Sequence, residues 1–295
     1  MKHIVVYKIT KLMAVGALFC VACTGKQNTD DTGLITETGP STEDTSVEQA
    51  DFPWDGAINA DGTPSSGRLV AHELGTTDAQ QGFYEYTPPG YSSDVEWPLL
   101  IAIHGGGENG EGAQELIKLQ GNGLPKLIAA DGWPSERPFV VLAPQHSGEG
   151  RTTADEIHEF ISFALDEYSI DSRYVYLTAY SMGAYGAWNY LQEYTGDQIA
   201  AVVPIAGDGT TALAAVGCEL AEVGIWAFHG EDDTTVNVNG TIQTIDGLAD
   251  CPSPPAQEVI QTIYEGVGHN SWDATYDGSA GFDIFEWFLL FKSTY

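Results

Sequence analysis

Residues 174–188 constrain the fold of this 295-residue chain more than any other part of the sequence. They read YVYLTAYSMGAYGAW, so a β-branched and aromatic run leads directly into Ser181, and small residues follow it. Residues of the first kind favour a β-strand. The segment therefore predicts a strand, then a sharp turn that carries Ser181, and then a helix.

A serine on a turn between a strand and a helix is typical of a nucleophile elbow, in which the strained turn lifts the serine Oγ clear of the sheet. A serine hydroxyl is a weak nucleophile unless a base removes its proton. The elbow therefore requires an acid and a histidine elsewhere in the chain. Asp233 and His269 follow in that order.

The rest of the chain alternates between apolar runs and helical patterns. We expect strands at 83–90, 97–103, 138–143, 199–205, 224–228 and 257–264, besides the strand that begins at Tyr174. A capping box at Thr153–Glu156 predicts the start of an amphipathic helix. The apolar residues at 282–291 predict a final helix. This alternation predicts a single α/β domain whose mostly parallel central sheet carries helices on both faces.

Polar and glycine residues follow these predicted strands, at the end of the sheet where ligands bind in such folds. The segments that carry them are 104–108, 144–146, 181–182, 229–233 and 265–269. Because the carboxyl ends of parallel strands meet at one edge, the sequence predicts a functional site at that edge.

Four of these segments resemble the α/β-hydrolase superfamily. They are His104–Gly107, Ala179–Gly183, His229–Val236 and Gly266–Trp272. More narrowly, they resemble secreted esterases related to polyhydroxybutyrate depolymerases and to dienelactone-hydrolase-like carboxylesterases. The resemblance covers about residues 65–295, and it implies a single α/β-hydrolase domain in which the site residues occur in the order Ser, Asp, His.

The resemblance also implies roles for these residues. Ser181 would be the nucleophile and His269 the general base, while Asp233 would hold the imidazole in the required tautomer. The family pattern selects Asp233 and not its neighbour Asp232, because Asp233 lies three residues after Gly230 and three before Val236. The motif departs from the family pattern at Ala179, which replaces the first glycine of the elbow.

The backbone N–H of Met182 would bind the oxyanion of the reaction. A second N–H would come from Gly106 or Gly107, in the run of three glycines at 105–107, called the glycine run below. Glycine lets the backbone approach a substrate closely. We expect no cofactor and no metal ion, because no set of histidines and acids has the spacing of metal ligands.

Three further residues are candidates for substrate binding. Gln145 and His146 follow a strand on the catalytic side, and Trp272 comes three residues after the candidate base. A tryptophan at that place fits the core as well as a subsite. His104 and His229 each end a strand before a glycine, and we expect them to satisfy backbone groups there.

The N-terminal segment is typical of a targeting signal. After a basic start, the apolar run at 12–22 is too short to span a bilayer, and it ends at Cys23. It resembles the bacterial lipoprotein box, although Cys20 stands where leucine is usual. We expect residues 1–23 to be a signal peptide of the lipoprotein type with Cys23 as the lipidated residue. Ordinary signal-peptide cleavage is the alternative, and either one takes the protein out of the cytoplasm.

Residues 24–51 contain few apolar side chains, so we expect a disordered acidic tether, with the catalytic domain at 52–295. Cys218 and Cys251 remain after processing. In an oxidising compartment an even pair of cysteines favours a disulfide, and two free thiols are the alternative.

The net charge of −31 argues against nucleic acid and anionic membrane surfaces as partners. It predicts a strongly hydrated surface or, alternatively, attraction of a cationic substrate. We expect membrane contact only through the lipid anchor, and a monomer. The predicted function is an extracytoplasmic serine carboxylester hydrolase that acts on small or polymeric esters. The alternatives are a serine peptidase on the same fold and a non-catalytic surface lipoprotein that binds a ligand.

Overall fold

A computed structural model describes residues 4–8, 52, 54–59, 62–64, 68–194, 197–251 and 257–293. The strands in these ranges are β1 Ile4–Lys8, β2 Val70–His72, β3 Phe83–Tyr86, β4 Trp97–Ile103, β5 Val140–Pro144, β6 Ile170–Tyr180, β7 Ala201–Ile205, β8 Gly224–Gly230 and β9 Val259–Tyr264. The α-helices are α1 Gly123–Ala129, α2 Ala154–Glu167, α3 Met182–Tyr194, α4 Thr210–Val216, α5 Asn239–Ala249, α6 Trp272–Tyr276 and α7 Ile284–Phe288.

All these strands belong to one sheet, in the order β1-β9-β8-β7-β6-β4-β5-β3-β2. The six strands from β4 to β9 run parallel to their neighbours within that group. Strands β1, β2 and β3 pair antiparallel at the two sides of the group. The prediction of a mostly parallel sheet is therefore confirmed.

Four of the central strands are buried along their whole length, as expected where both faces of a sheet are covered. Every residue of β4, β5, β7 and β8 is buried. Helix α2 begins with the predicted capping box, in which Thr153 and Glu156 each accept a hydrogen bond from the backbone of the other. Its buried face carries Ile157, Phe160 and Ile161, which pack into the core.

The element bounds differ slightly from those expected. Strand β6 begins at Ile170, four positions before the expected start, and its Asp171 is held by Arg173 through bonds of 2.9 and 2.6 Å. Strand β3 ends at Tyr86, before the Thr-Pro-Pro-Gly turn, since proline lacks the N–H that a ladder needs. Helix α7 begins two residues later than expected because Asp283 caps its start, accepting from the N–H groups of Phe285 and Glu286, and it ends at Phe288.

Strand β1 pairs antiparallel with β9, with Ile4 opposite Tyr264 and Lys8 opposite Ile260. This strand lies in the segment that the sequence predicts to be a signal peptide, and cleavage before Cys23 would remove it. Cys23 itself and the predicted tether at 24–51 lie outside the described residues. Within the part of the chain that is described, no helix is both long and apolar enough to cross a membrane.

A disulfide joins Cys218 to Cys251, with 6.0 Å between their Cα atoms. Cys218 lies in a 3-10 helix just after α4, and Cys251 lies just after α5. The structure thus contains the pairing that the sequence favours. Both helices run back from the carboxyl edge of the sheet, so the disulfide lies near the opposite, amino edge.

Candidate active site

Ser181 occupies the turn between β6 and α3, and its φ is +53°. This left-handed conformation is uncommon for a residue other than glycine, so the surrounding structure has to maintain it. The N–H of Ser181 donates to the carbonyl oxygen of Ile205, at the end of the neighbouring β7, over 2.8 Å. Its carbonyl oxygen accepts from the N–H of Ala184 at 3.0 Å. The predicted elbow is present.

Close packing of α3 against β4 explains the glycine at position 183. A Cβ atom on Gly183 would lie 2.5 Å from the carbonyl oxygen of His104 and 2.8 Å from Cγ2 of Ile103. Ala179, where the resembled family has glycine, is fully buried in β6, so its methyl group is accommodated in the core.

The three residues predicted to form a triad come together at the carboxyl edge of the sheet. Oγ of Ser181 lies 2.7 Å from Nε2 of His269, and Nδ1 of His269 lies 2.7 Å from Oδ2 of Asp233. Because an ionised carboxylate only accepts hydrogen bonds, the neutral imidazole carries its proton on Nδ1. Nε2 is therefore free to take the proton of the serine hydroxyl.

Asp233 is held from both sides of its carboxylate. Its Oδ1 accepts from the backbone N–H groups of Thr235 at 2.8 Å and Val236 at 2.9 Å. Burial tends to raise the pKa of Asp233, but the hydrogen bonds from His269 and from these two amides outweigh burial and lower it. Asp233 is thus ionised at neutral pH. The neighbouring Asp232 is exposed, as expected.

His229 makes a contact that the sequence did not predict. Its Nε2 lies 3.1 Å from the carbonyl oxygen of Val236, which fits the expected backbone role. The same atom lies 3.1 Å from Oδ2 of Asp233. No pattern in the sequence indicates this contact, because His229 lies on a strand and Asp233 follows the turn after it.

His104 takes the backbone role that the sequence suggests. Its Nδ1 donates to the carbonyl oxygen of Gly105 at 2.6 Å, and its Nε2 accepts from the N–H of His146 at 2.8 Å. Burial lowers the pKa of His104 to about 4, so the ring is neutral at neutral pH. These bonds fix the start of the glycine run that follows β4.

The oxyanion candidates lie beside the elbow. Met182 is the first residue of α3, where the N–H groups and the helix dipole favour a negative charge. A Cβ atom on Gly106 would be 3.8 Å from the Cβ of Met182, whereas Gly107 has open space around it. The structure thus brings Gly106 next to Met182.

Glu108 anchors the C-terminal end of the glycine run. This role was not predicted from the sequence. The side chain of Glu108 is buried, and it accepts from the hydroxyl of Tyr180 at 3.1 Å and from Nδ2 of Asn122 at 2.6 Å. Tyr180 directly precedes Ser181. Glu108 therefore links the glycine run to the strand that carries the serine.

The side chains of Gln145 and His146 are engaged with the protein itself. Gln145 accepts from the N–H of Gly112 at 2.9 Å and donates to two carbonyl oxygens of the segment 108–115. Nδ1 of His146 lies 2.9 Å from a carboxylate oxygen of Glu156, at the start of α2. These contacts favour structural roles, and substrate binding by either residue stays a prediction.

Trp272 lies against the catalytic histidine candidate. Its ring is largely buried and meets the imidazole of His269 edge to face at 5.3 Å, and it stacks on Tyr180 at 4.6 Å. The ring of Trp272 thus packs against one side of the imidazole of His269. Among the described residues, no group of three or more His, Cys, Asp or Glu side chains is arranged to hold a metal ion.

No protein-family model and no curated protein matches this chain. A crystal structure of a thermostable esterase is similar with a TM-score of 0.61 and 25% identity, over 76% of this chain and 62% of that one. The feruloyl esterase module from Clostridium thermocellum, complexed with sinapinate, has a TM-score of 0.50 and 18% identity, over 76% and 87%. An acylaminoacyl peptidase has a TM-score of 0.51 and 13% identity, over 76% and 41%.

These similarities, together with the sheet and the elbow, show that the chain has the α/β-hydrolase fold. An esterase and a peptidase are among the structures that share this fold. The chain spans less than two thirds of the thermostable esterase. The narrower resemblance to polyhydroxybutyrate depolymerases stays a prediction.

Proposed function

We propose that this protein is an extracytoplasmic serine carboxylester hydrolase that works through an acyl-enzyme. One observation carries the proposal: two consecutive hydrogen bonds of 2.7 Å run from Oγ of Ser181 through His269 to Asp233. A serine, a histidine and an acid in this geometry form an activated nucleophile on several unrelated folds. The left-handed turn at Ser181 further supports it, because such strain is found at functional sites.

Acylation would begin when Nε2 of His269 accepts the proton of Ser181. The serine Oγ forms a bond to the carbonyl carbon of the ester, and the carbonyl oxygen becomes an oxyanion. Asp233 stays ionised and stabilises the imidazolium. The N–H groups of Met182 and of Gly106 or Gly107 would bind the oxyanion, and each such donor typically contributes about 3–4 kcal/mol to the transition state.

Collapse of this tetrahedral intermediate would break the bond to the alcohol, and His269 would give its proton to the departing oxygen. Water then attacks the acyl-enzyme while His269 takes its proton. In the second collapse the bond from the acyl carbon to Oγ of Ser181 breaks, His269 returns the proton to that oxygen, and the carboxylic acid leaves. The same two residues serve both halves of the reaction, so no further catalytic base is needed.

The proposed substrates are extracellular carboxylic esters, such as polyester oligomers, acylated polysaccharide side chains or feruloyl-type esters. Similarity to esterases supports this class. Ser181 is only half-buried, and the side chain of His269 is 23% exposed, so the nucleophile is accessible from solvent. Export is supported by the N-terminal pattern and by the disulfide, since disulfides persist in oxidising compartments.

A serine peptidase on the same fold is the second candidate, because an acylaminoacyl peptidase is among the similar structures. Ester and peptide hydrolysis pass through the same kind of tetrahedral intermediate, so the triad alone supports both. A non-catalytic binding protein is the third candidate. It is disfavoured because a binding protein has no need of all three groups in hydrogen-bonding order.

A serine-directed fluorophosphonate probe tests whether the protein is an enzyme. We expect the wild type to be labelled and Ser181→Ala to remain unlabelled. An unlabelled but folded wild type would refute the proposed function. p-Nitrophenyl esters of increasing chain length, assayed beside a peptide library, then separate the first two candidates, and we expect turnover of the esters. Cleavage of peptides with no turnover of esters would favour the peptidase.

A further inference from the structure

We propose that His229 is a positioning residue for this site, which holds the carboxylate of Asp233 in the orientation that His269 requires. The inference rests on the proposed triad and assigns His229 no contact with the substrate. His229 is the last residue but one of β8, and its side chain is completely buried, as is that of Asp233.

The carboxylate of Asp233 is saturated with donors. A ring N–H from His269 and one from His229 reach Oδ2 over 2.7 and 3.1 Å, while two backbone N–H groups reach Oδ1. A carboxylate offers about four acceptor positions, so all of them are occupied. Rotation of the carboxylate would break several of these bonds together, and His229 supplies the only side-chain donor to it apart from His269 among the described residues.

The neighbours of His229 fix which ring nitrogen carries the proton. Both groups within reach of Nε2 are acceptors, namely Oδ2 of Asp233 and the carbonyl oxygen of Val236, so the proton lies on Nε2. Burial lowers the pKa of His229, which keeps the ring neutral. On the other side, Oγ1 of Thr241 in α5 lies 2.8 Å from Nδ1 and 3.0 Å from the carbonyl oxygen of Gly207. With the ring proton on Nε2, the single proton of the Thr241 hydroxyl is donated to Nδ1 and orients the ring. His229 therefore shares its single N–H between Oδ2 of Asp233 and the carbonyl oxygen of Val236, each 3.1 Å away.

The competing explanation is a purely structural role, in which His229 merely satisfies Val236 and Thr241. Two substitutions separate the explanations, because their amide groups mimic different ring nitrogens. The amide nitrogen of His229→Gln can lie near the position of Nε2 and donate to Asp233. The amide of His229→Asn lies near the position of Nδ1, so it can meet Thr241 but not Asp233.

In the full chain, we expect His229→Asn to lower kcat for an activated ester by about ten- to a hundredfold, since small displacements of catalytic groups can cost about a hundredfold. KM should stay within about twofold, because the interaction acts in the transition state and not in ground-state binding. We expect His229→Gln to keep kcat within about fivefold of the wild type, because it restores the donor. Equal kcat losses in both variants at matched melting temperatures, or no loss in either, would overturn the proposal.

Proton NMR of the free protein gives a readout without substrate. The wild type should show low-field imidazole N–H resonances from His269 and His229, besides one from the buried His104. The His269 resonance should persist unshifted in His229→Gln, and shift or broaden in His229→Asn. An unchanged His269 resonance in the asparagine variant would contradict the inference.

Should His229→Asn fail to fold, His229→Gln alone decides. An unshifted His269 resonance with kcat near that of the wild type supports the positioning role, and a kcat loss of about a hundredfold contradicts it. A wild type that shows both resonances but hydrolyses no ester and takes up no fluorophosphonate would refute the proposed function. The NMR comparison would still test the contact between His229 and Asp233.

Discussion

Asp233 and His269 share a 2.7 Å hydrogen bond between Oδ2 and Nδ1, and this bond distinguishes Asp233 from the adjacent Asp232. The chain turns at Glu231 and Asp232, where the N–H of Asp233 donates to the carbonyl oxygen of Gly230 over 3.3 Å. Asp233 points inward and its side chain has no exposed surface, while Asp232 is exposed. Two consecutive carboxylates therefore offer a matched pair of substitutions.

We expect Asp233→Asn to lower kcat on an activated ester by about 10⁴-fold, because the amide no longer selects the required tautomer of His269. Asp232→Asn should stay within about tenfold of the wild type, a change of about 1.4 kcal/mol in the barrier. Steady-state kinetics of both variants check this prediction. Equal losses, or a larger loss at position 232, would contradict the assignment of Asp233.

Gly183→Ala should disturb the elbow, because the added methyl would approach the carbonyl oxygen of His104 to 2.5 Å. We expect a loss of about 1–3 kcal/mol in the free energy of unfolding, as for other overpacked sites, together with a lower kcat. Gly121→Ala is the control, since nothing lies within 4 Å of the added atom. Denaturant unfolding and ester kinetics measure both effects, and a fully active Gly183→Ala would show that the packing is less strict.

The free energy of unfolding should decrease as the pH is lowered below the ordinary pKa of histidine. Burial lowers the pKa of His104 from 6.5 to about 4, so between these values the unfolded chain binds a proton that the folded protein does not. The free energy of unfolding then decreases as pH falls, by at most about 1.4 kcal/mol per pH unit for this residue. His229, whose pKa burial also lowers, acts in the same direction.

The variant His104→Asn isolates the contribution of this residue, because the asparagine amide can still donate to the carbonyl oxygen of Gly105. We expect urea unfolding across the same pH window to give a shallower slope for the variant than for the wild type. A variant with the wild-type slope would show that His104 is not the group that titrates.

Loss of the disulfide should affect stability far more than activity. The bond between Cys218 and Cys251 closes a loop across 33 positions, and such a loop stabilises by about 3–4 kcal/mol in the chain-entropy model. It lies at the amino edge of the sheet, away from Ser181. We expect the double variant Cys218→Ser, Cys251→Ser to unfold at lower denaturant concentration while it keeps its fluorophosphonate labelling. Two free thiols in the denatured, unreduced wild type would refute the bond itself.

Lipidation at Cys23 is a prediction from the sequence, and labelling in a Gram-negative host tests it. The wild type should take up labelled palmitate and partition with membranes, because an acyl chain supplies the apolar anchor. Cys23→Ser should take up none. A mature protein whose first residue is not Cys23 would favour ordinary cleavage of the signal peptide.

Most of the parallel sheet could be predicted from the sequence, because strands buried on both faces are continuous apolar runs. Strand β4 has the predicted bounds, and β7 and β8 differ by two residues at one end. The apolar runs also placed the segments that carry Ser181, Asp233 and His269 at the carboxyl edge of the sheet, whereas the choice of these three residues came from the resemblance to the α/β-hydrolase superfamily. Strand β2 has three residues and α6 has five, too few to show a period.

Contacts between side chains at the site could not be predicted in this way. Whether His229 reaches only a backbone carbonyl or also Asp233 depends on the direction of a ring inside the core, which strand periodicity does not encode. Glu108 is a similar case, because its partners Tyr180 and Asn122 are far apart in the sequence. A buried glutamate directly after a glycine run carries no distinctive local pattern.

Strand β1 covers the outer edge of β9, from Ile260 to Tyr264. If export removes residues 1–23, as the sequence predicts, the mature enzyme loses this cover, and a row of backbone N–H and C=O groups on an apolar strand becomes available. Such an edge can pair with a strand from another molecule. Cleavage of the leader would then uncover, on the mature chain, an edge for strand pairing that β1 occupies in the immature chain.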